Sequence, residues 1–101
     1  MSAPQDDPVL ATLRGKVAEV DRSILELVNT RLGLVQEIRR HKLAYGLPFL
    51  DPERERWLVS YLETVNRGPL TSEGVGELVR TLLDLIKREI ARAEDGAHAG
   101  G

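Results

Sequence analysis

Arg31 and Lys42 are two cations on a helical stripe that should otherwise be apolar. Steps of three and four residues give the stripe its members, Val28, Arg31, Val35, Ile38 and Lys42. Burying an unpaired cation is costly, so an anion is expected between the two. They are about three helical turns apart, which separates their Cα atoms by about 16 Å along one face. Because both side chains are long and an arginine fork suits a carboxylate, the spacing favours a small molecule with an acid at each end.

The simpler alternative is that both charged heads reach water past their apolar stems. The start of the next predicted helix adds polar groups, because Asp51, Arg54 and Glu55 are spaced to share its first turn. A helix N-terminus also directs backbone N–H groups and a positive dipole end toward a nearby anion. The same three residues would equally form an ordinary capped and salt-bridged helix start, so the residues alone leave both interpretations open.

Other functions find less support in the sequence. His41 and His98 are far apart and lack further ligands, so we predict no metal site. The basic run at 39–42 winds around its helix without aromatic neighbours, and the net charge is −2, which together disfavour nucleic-acid binding. No apolar run approaches the roughly 18 residues that span a membrane. The absence of cysteine fits a reducing, cytoplasmic location.

Three predicted helices position these residues, one long, one short and one of medium length. The first starts at Val9 and ends near Gly46, a suitable left-handed C-cap. Asp51 is a typical N-cap for the second, with a proline at the first helical position. Thr71 or Ser72 caps the third, whose expected inner residues are Val75, Leu78, Val79, Leu82, Leu85, Ile86 and Ile90.

No strand pattern is present, so the sequence predicts an all-α chain. Residues 1–8 are expected to form a flexible lead-in and residues 9–94 the helical domain. Residues 95–101, which have no apolar period, are expected to form a linker or disordered tail.

The length of the first helix makes a prediction about assembly. A helix over residues 10–44 is about 50 Å long, whereas a compact chain of this size has a gyration diameter of about 26 Å. A heptad-like, mainly apolar seam runs along it, formed by Leu10, Leu13, Val17, Val20, Ile24, Leu27, Arg31, Leu34, Ile38 and His41. A homodimer that buries this helix against a second copy is the simplest solution. The alternative is a monomeric three-helix hairpin with an overhanging end.

The chain resembles the all-helical, AroQ-type chorismate mutases from about Leu10 to Ala91. The motifs that carry the likeness are LRGKVAEVD at 13–21, LELVNTR at 25–31, EIRRHK at 37–42 and DPERER at 51–56. Each motif is weak alone, but their joint spacing is specific. The GPLTS stretch at 68–72 and the glycine-rich tail further resemble, more loosely, the mutase domain fused ahead of a 3-deoxy-7-phosphoheptulonate (DAHP) synthase.

The resemblance implies the pericyclic conversion of chorismate to prephenate, with no cofactor and no covalent intermediate. It implies an intertwined homodimer in which Arg14 crosses the interface to grip a substrate carboxylate. Arg31 would hold a carboxylate, and Lys42 would reach the ether oxygen and a carboxylate. As the carbon–oxygen bond breaks, negative charge grows on that oxygen, so a fixed cation there stabilises the transition state.

In the second helix the resemblance gives Glu55 the role of accepting the hydrogen bond of the ring hydroxyl. Asp51 would act mainly through its backbone near that hydroxyl, and Arg54 would support the carboxylates. In the third helix the family usually has a Gln or Glu at the ether oxygen, where direct alignment gives Ile90. A small shift in the helical register would instead bring Glu89 to the ether oxygen. Glu89 would donate a hydrogen bond there only when protonated, which predicts higher activity at acidic pH.

Two further functions remain compatible with these residues. The same pocket would serve a regulatory domain that senses chorismate or prephenate for a fused or associated DAHP synthase. If Ile90 occupies the third-helix position, slow turnover is expected, which suits such a sensor. A helical dimerisation module without a ligand is the remaining alternative.

Overall fold

The structure, a computed structural model, describes residues 7–100 and the side chains of residues 7–96. Three helices follow one another: α1 (Pro8–Ala44), α2 (Pro52–Val65) and α3 (Ser72–Gly100). Within the described range there is no strand. The predicted all-α chain with a long, a short and a medium helix is confirmed.

Contacts divide the chain into two units, Met1–Leu34 and Val35–Gly101. α1 continues from the first unit into the second without interruption and is about 55 Å long at 1.5 Å per residue. The second unit holds the end of α1 together with α2 and α3, and most of the predicted site residues.

The core of the second unit lies on one stripe of α3, which packs against α2. Its fully buried hydrophobic side chains are Val75, Val79, Ile86 and Ile90. Their steps of four and seven residues keep them on one helical face. Leu78, predicted to lie inside, is 56% exposed in this chain. One residue corresponds to a rotation of about 100°, which carries Leu78 away from the face of Val79.

Hydrogen bonds from side chains fix where the two shorter helices begin. Asp51 Oδ1 accepts from the backbone N–H of Arg54 at 3.1 Å, so the predicted N-cap of α2 is confirmed. For α3, Thr71 Oγ1 accepts from the backbone N–H of Gly74 at 3.0 Å. Thr71 is therefore the cap, and Ser72 is the first helical residue.

The ends of α1 are also determined locally. Asp7 Oδ1 accepts from the N–H of Val9 at 2.8 Å, and the helix begins at Pro8. At the other end Gly46 adopts a φ of +66°, the left-handed conformation predicted for this position.

The end of α3 differs from the expectation for the tail. α3 extends to Gly100, whereas residues 95–101 are predicted to be a linker. Residues 95–100 contain two alanines and no proline, and the internal Gly96 costs only about 1 kcal/mol, so the helix is not forced to stop at Asp95. Residues 1–6 of the predicted lead-in, and residue 101, lie outside the described range.

Within the described residues of the first unit, α1 carries an apolar stripe that is left uncovered. The side chains along it are each about half exposed or more: Val9, Leu13, Val17, Val20, Ile24 and Leu27. None of the helices in the described part of the chain has the length and apolar character that a membrane-spanning helix requires.

Candidate functional site

The two cations of the α1 stripe are partly covered. Arg31, in the first unit, and Lys42, in the second, are both half-buried, as are the intervening Val35 and the preceding Val28. Ile38, the remaining member of the stripe, is 50% exposed. A fully solvated lysine or arginine would be more exposed than this, so simple escape to water does not account for the stripe.

Lys42 is anchored at the end of α1. Its Nζ atom donates to the backbone carbonyl oxygen of Phe49 at 3.2 Å. An ammonium group has three N–H donors, so two remain available for other acceptors. Phe49 lies two residues before Asp51, so this bond ties Lys42 to the segment that leads into α2.

Arg39 also contacts Phe49, from the neighbouring turn of α1. Its guanidinium lies 4.2 Å from the centroid of the Phe49 ring and forms an ion pair with Glu94 of α3. The Arg39 side chain is only 24% exposed. In the sequence Arg39 is only one member of a basic run, because neither its partner nor its partial burial can be read from local spacing.

The first turn of α2 directs its polar side chains to different places. Asp51 caps the helix, as described above. Arg54 stacks on Trp57, with 3.9 Å between the guanidinium carbon and the ring centroid. Trp57 in turn stacks on Tyr61, with centroids 4.9 Å apart and planes 5° apart. Because stacking uses the flat face of a guanidinium, the N–H groups at the edge of Arg54 remain able to bind a carboxylate.

Glu55, the third polar residue of this turn, reaches α3. Lys87 Nζ donates to Glu55 Oε1 at 3.0 Å and to Oε2 at 3.1 Å. The two residues are 32 positions apart in sequence. Lys87 is absent from the predicted site, because a contact between separate helices leaves no signal in the spacing of either one.

The two alternatives predicted for the third helix have different surroundings. Ile90 is buried at 5% exposure in the core stripe of α3. Glu89 is half-buried and paired with Arg92, one turn further along the same helix. Within the described residues, Lys87 rather than Glu89 provides the ion pair between α3 and α2.

Arg14 lies on the exposed surface of α1, in the first unit. It follows Leu13 and precedes Val17, two members of the uncovered apolar stripe, which are 52% and 59% exposed. The predicted contribution of Arg14 to a second subunit requires a partner against this surface and stays a prediction.

A cleft of about 410 Å³ is found away from these residues, where α2 ends and α3 begins. It is lined by Glu63, Ser72, Glu73, Gly76, Glu77 and Arg80. Three carboxylates against one guanidinium would repel a dianion. The cleft therefore does not suit a dicarboxylate.

Comparison with known proteins gives one family. The sequence profile of the family described as chorismate mutase type II matches residues 13–90. A bifunctional chorismate mutase/prephenate dehydratase of Pseudomonas aeruginosa is 34% identical over 83 residues, which are 77% of this chain and 23% of that protein. The chorismate mutase of Methanocaldococcus jannaschii is 31% identical over 67 residues, 66% of this chain and 68% of that protein.

Solved structures of chorismate mutases are similar to this chain. The chorismate mutase of Thermus thermophilus in its form I has a TM-score of 0.74 and 38% identity, over 76% of this chain and 96% of that chain. In form II the TM-score is 0.76 and the identity 37%, over 78% and 90% of the two chains.

The chain spans about a quarter of the length of the first curated relatives it matches, 23% and 22%. Both are named as bifunctional chorismate mutase/prephenate dehydratases. The expected likeness to a domain fused to a DAHP synthase is therefore not shown, and the partner domain in these relatives is a different one. The GPLTS stretch and the glycine-rich tail were too short and too common in composition to identify a fusion partner.

Proposed function

The chain belongs to the chorismate mutase type II family, and we propose that it catalyses the rearrangement of chorismate to prephenate. The observation that carries the proposal is the family match over residues 13–90, which includes every candidate site residue from Arg14 to Glu89. The partly buried cations of α1 supply the charge that such a substrate, with two carboxylates, requires.

The reaction needs no acid, base or nucleophile from the protein. The substrate must be held in the folded conformer in which its reacting carbons meet, and this removes conformational entropy before the chemical step. Arg31 and Arg54 bind the carboxylates, with Arg14 added from a second subunit. Arg54 is suited to this because its stacking on Trp57 restrains the guanidinium while its edge stays open.

Lys42 acts at the ether oxygen. Negative charge develops there as the carbon–oxygen bond breaks, and a cation already in position stabilises the transition state more than the ground state. The bond to the Phe49 carbonyl restrains the ammonium and leaves two donors for the substrate.

Glu55 and Asp51 act on the ring hydroxyl. Glu55 accepts its hydrogen bond, and Asp51 contributes through the backbone at the start of α2. For the ether oxygen, the burial of Ile90 and the pairing of Glu89 with Arg92 favour Lys42 as the main protein donor. Modest turnover is the expected consequence.

The active form is a homodimer in which α1 packs against a second copy. The uncovered stripe on α1 supports this assembly, because contiguous apolar surface of this kind is costly to leave in water. A two-fold interface pairs the same surface on both subunits, so one self-complementary helix face is sufficient. Arg14, next to this stripe, would then reach the site of the partner.

The experiment follows chorismate consumption and prephenate formation by the purified chain. Wild-type protein is expected to accelerate the reaction, and Arg31→Ala to lose most of the acceleration with little change in melting temperature. Absence of any rate above the uncatalysed reaction would refute the enzymatic function. Binding of prephenate without turnover would instead identify the sensing function.

A further inference from the structure

Lys87 contacts both carboxylate oxygens of Glu55, and the family resemblance assigns Lys87 no role. Its ammonium lies 3.0 and 3.1 Å from the two oxygens of one carboxylate. The Lys87 side chain is 47% exposed and that of Glu55 is 33% exposed. At this exposure an ion pair contributes little to folding stability, because solvent screens it. The contact is therefore better explained by what it does to Glu55 than by stability.

Glu55 needs such a restraint if it is to orient a substrate hydroxyl. A glutamate side chain has three rotatable bonds, and fixing them on binding would cost conformational entropy. A lysine that already contacts both oxygens restricts this freedom before the substrate arrives, which is the usual advantage of preorganisation.

The contact leaves Glu55 able to accept a further hydrogen bond. An ionised carboxylate has about four lone-pair sites on its two oxygens. Lys87 occupies one site on each oxygen, so one site on each remains for the hydroxyl of the ring. The lysine and the substrate hydroxyl do not compete for the same position.

We propose that Lys87 is a positioning residue, which holds the Glu55 carboxylate in the orientation that accepts the ring hydroxyl. The inference rests on the proposed function, because it assigns Glu55 to the substrate. Lys87 acts through Glu55 and need not touch the reacting atoms.

The test compares one substitution in two backgrounds. Lys87→Met is expected to lower kcat/KM about tenfold in the wild-type background, equivalent to about 1.4 kcal/mol. Most of the loss should appear in KM, because the hydroxyl bond is present in both the bound substrate and the transition state. In a Glu55→Gln background the same change should cost less than about threefold, since no carboxylate is left to hold.

Two further variants separate positioning from other effects. Lys87→Arg retains a cation that can contact both oxygens and should recover most of the activity. Arg88→Met removes a neighbouring exposed cation of α3, about 100° away around the helix, and should leave kcat/KM unchanged. Melting temperatures of all variants should stay close to that of the wild type.

Equal losses in both backgrounds would overturn the inference, because Lys87 would then act by charge alone. No loss in the wild-type background would overturn it as well. A readout independent of catalysis is the side-chain carboxyl ¹³C resonance of Glu55, which Lys87→Met should move while leaving that of Glu53 in place. If the wild-type protein has no mutase activity but Lys87→Met moves the Glu55 resonance, the proposed function is refuted while the contact between Lys87 and Glu55 is confirmed. An unmoved resonance would contradict the contact itself.

Discussion

The ammonium of Lys42 is hydrogen-bonded to the main-chain carbonyl of Phe49 at 3.2 Å. The bond joins the end of the cationic stripe on α1 to the segment that leads into α2. It restrains the most mobile part of a long side chain at the point where the proposed mechanism needs a fixed positive charge.

Replacement of Lys42 tests that charge. Lys42→Met is expected to lower kcat by about a hundredfold, the usual loss when one donor to a developing negative charge is removed. Steady-state kinetics on chorismate give the value. Arg40→Met, an exposed cation two residues earlier on α1, is the control and should retain wild-type kcat. Equal effects of the two substitutions would contradict a specific role for Lys42.

Asp51 has two separable roles. As the N-cap of α2 its side chain accepts one backbone N–H, so Asp51→Ala should lower the free energy of unfolding by about 1 kcal/mol. Asp51→Asn should retain most of the stability, because asparagine caps equally well. Urea unfolding measures both. Since the proposed contact with substrate uses the backbone, Asp51→Asn should also retain most of kcat/KM. A large loss in the asparagine variant would assign the carboxylate itself to the substrate.

The uncovered stripe of α1 predicts the effect of a charge at its centre. Ile24→Glu is expected to convert the dimer to monomer, because the glutamate would be buried without a partner in the interface. Sedimentation equilibrium reports the mass. Arg22→Ala is the matched control, since Arg22 pairs with Glu26 on the exposed surface of the same helix. A wild-type protein that is itself monomeric at micromolar concentration would rule out this assembly.

The ion pair between Arg39 and Glu94 connects α1 to α3 beside Phe49. Without Glu94, Arg39 is less restrained over Phe49, so Glu94→Ala should loosen the segment that connects α1 to α2. The loss of global stability should be small, because Glu94 is partly exposed and solvent screens the ion pair. Hydrogen exchange of the Leu47 N–H, which bonds to the Lys42 carbonyl at 2.8 Å, should accelerate. Glu77→Ala, at an exposed position of α3, serves as the control and should leave Leu47 protection as it is.

Features that depend on near neighbours were predictable from the sequence. The caps at Asp51 and Gly46 depend on residues only a few positions away in the sequence. The local sequence is therefore sufficient to predict both helix ends. The same holds for the buried stripe of α3, apart from Leu78. Its exposure depends on which side of α3 meets α2, and a run of closely spaced apolar residues leaves that choice open.

Contacts between helices were not predictable. Lys87 and Arg39 each pair with a glutamate on another helix, 32 and 55 positions away. Nothing in the local pattern separates them from the exposed cations beside them. The family resemblance supplied Glu55 but not Lys87, because it transfers roles only to positions that match its motifs.

Mixing two inactive subunits tests the central claim, a chorismate mutase whose sites are shared between subunits. Arg14→Ala and Arg31→Ala proteins should each be almost inactive. When they are unfolded together and refolded, half of the dimers should be mixed, and each mixed dimer should have one intact site. The predicted result is recovery of about a quarter of the wild-type rate. No recovery from the mixture, with both variants folded and dimeric, would contradict the shared site.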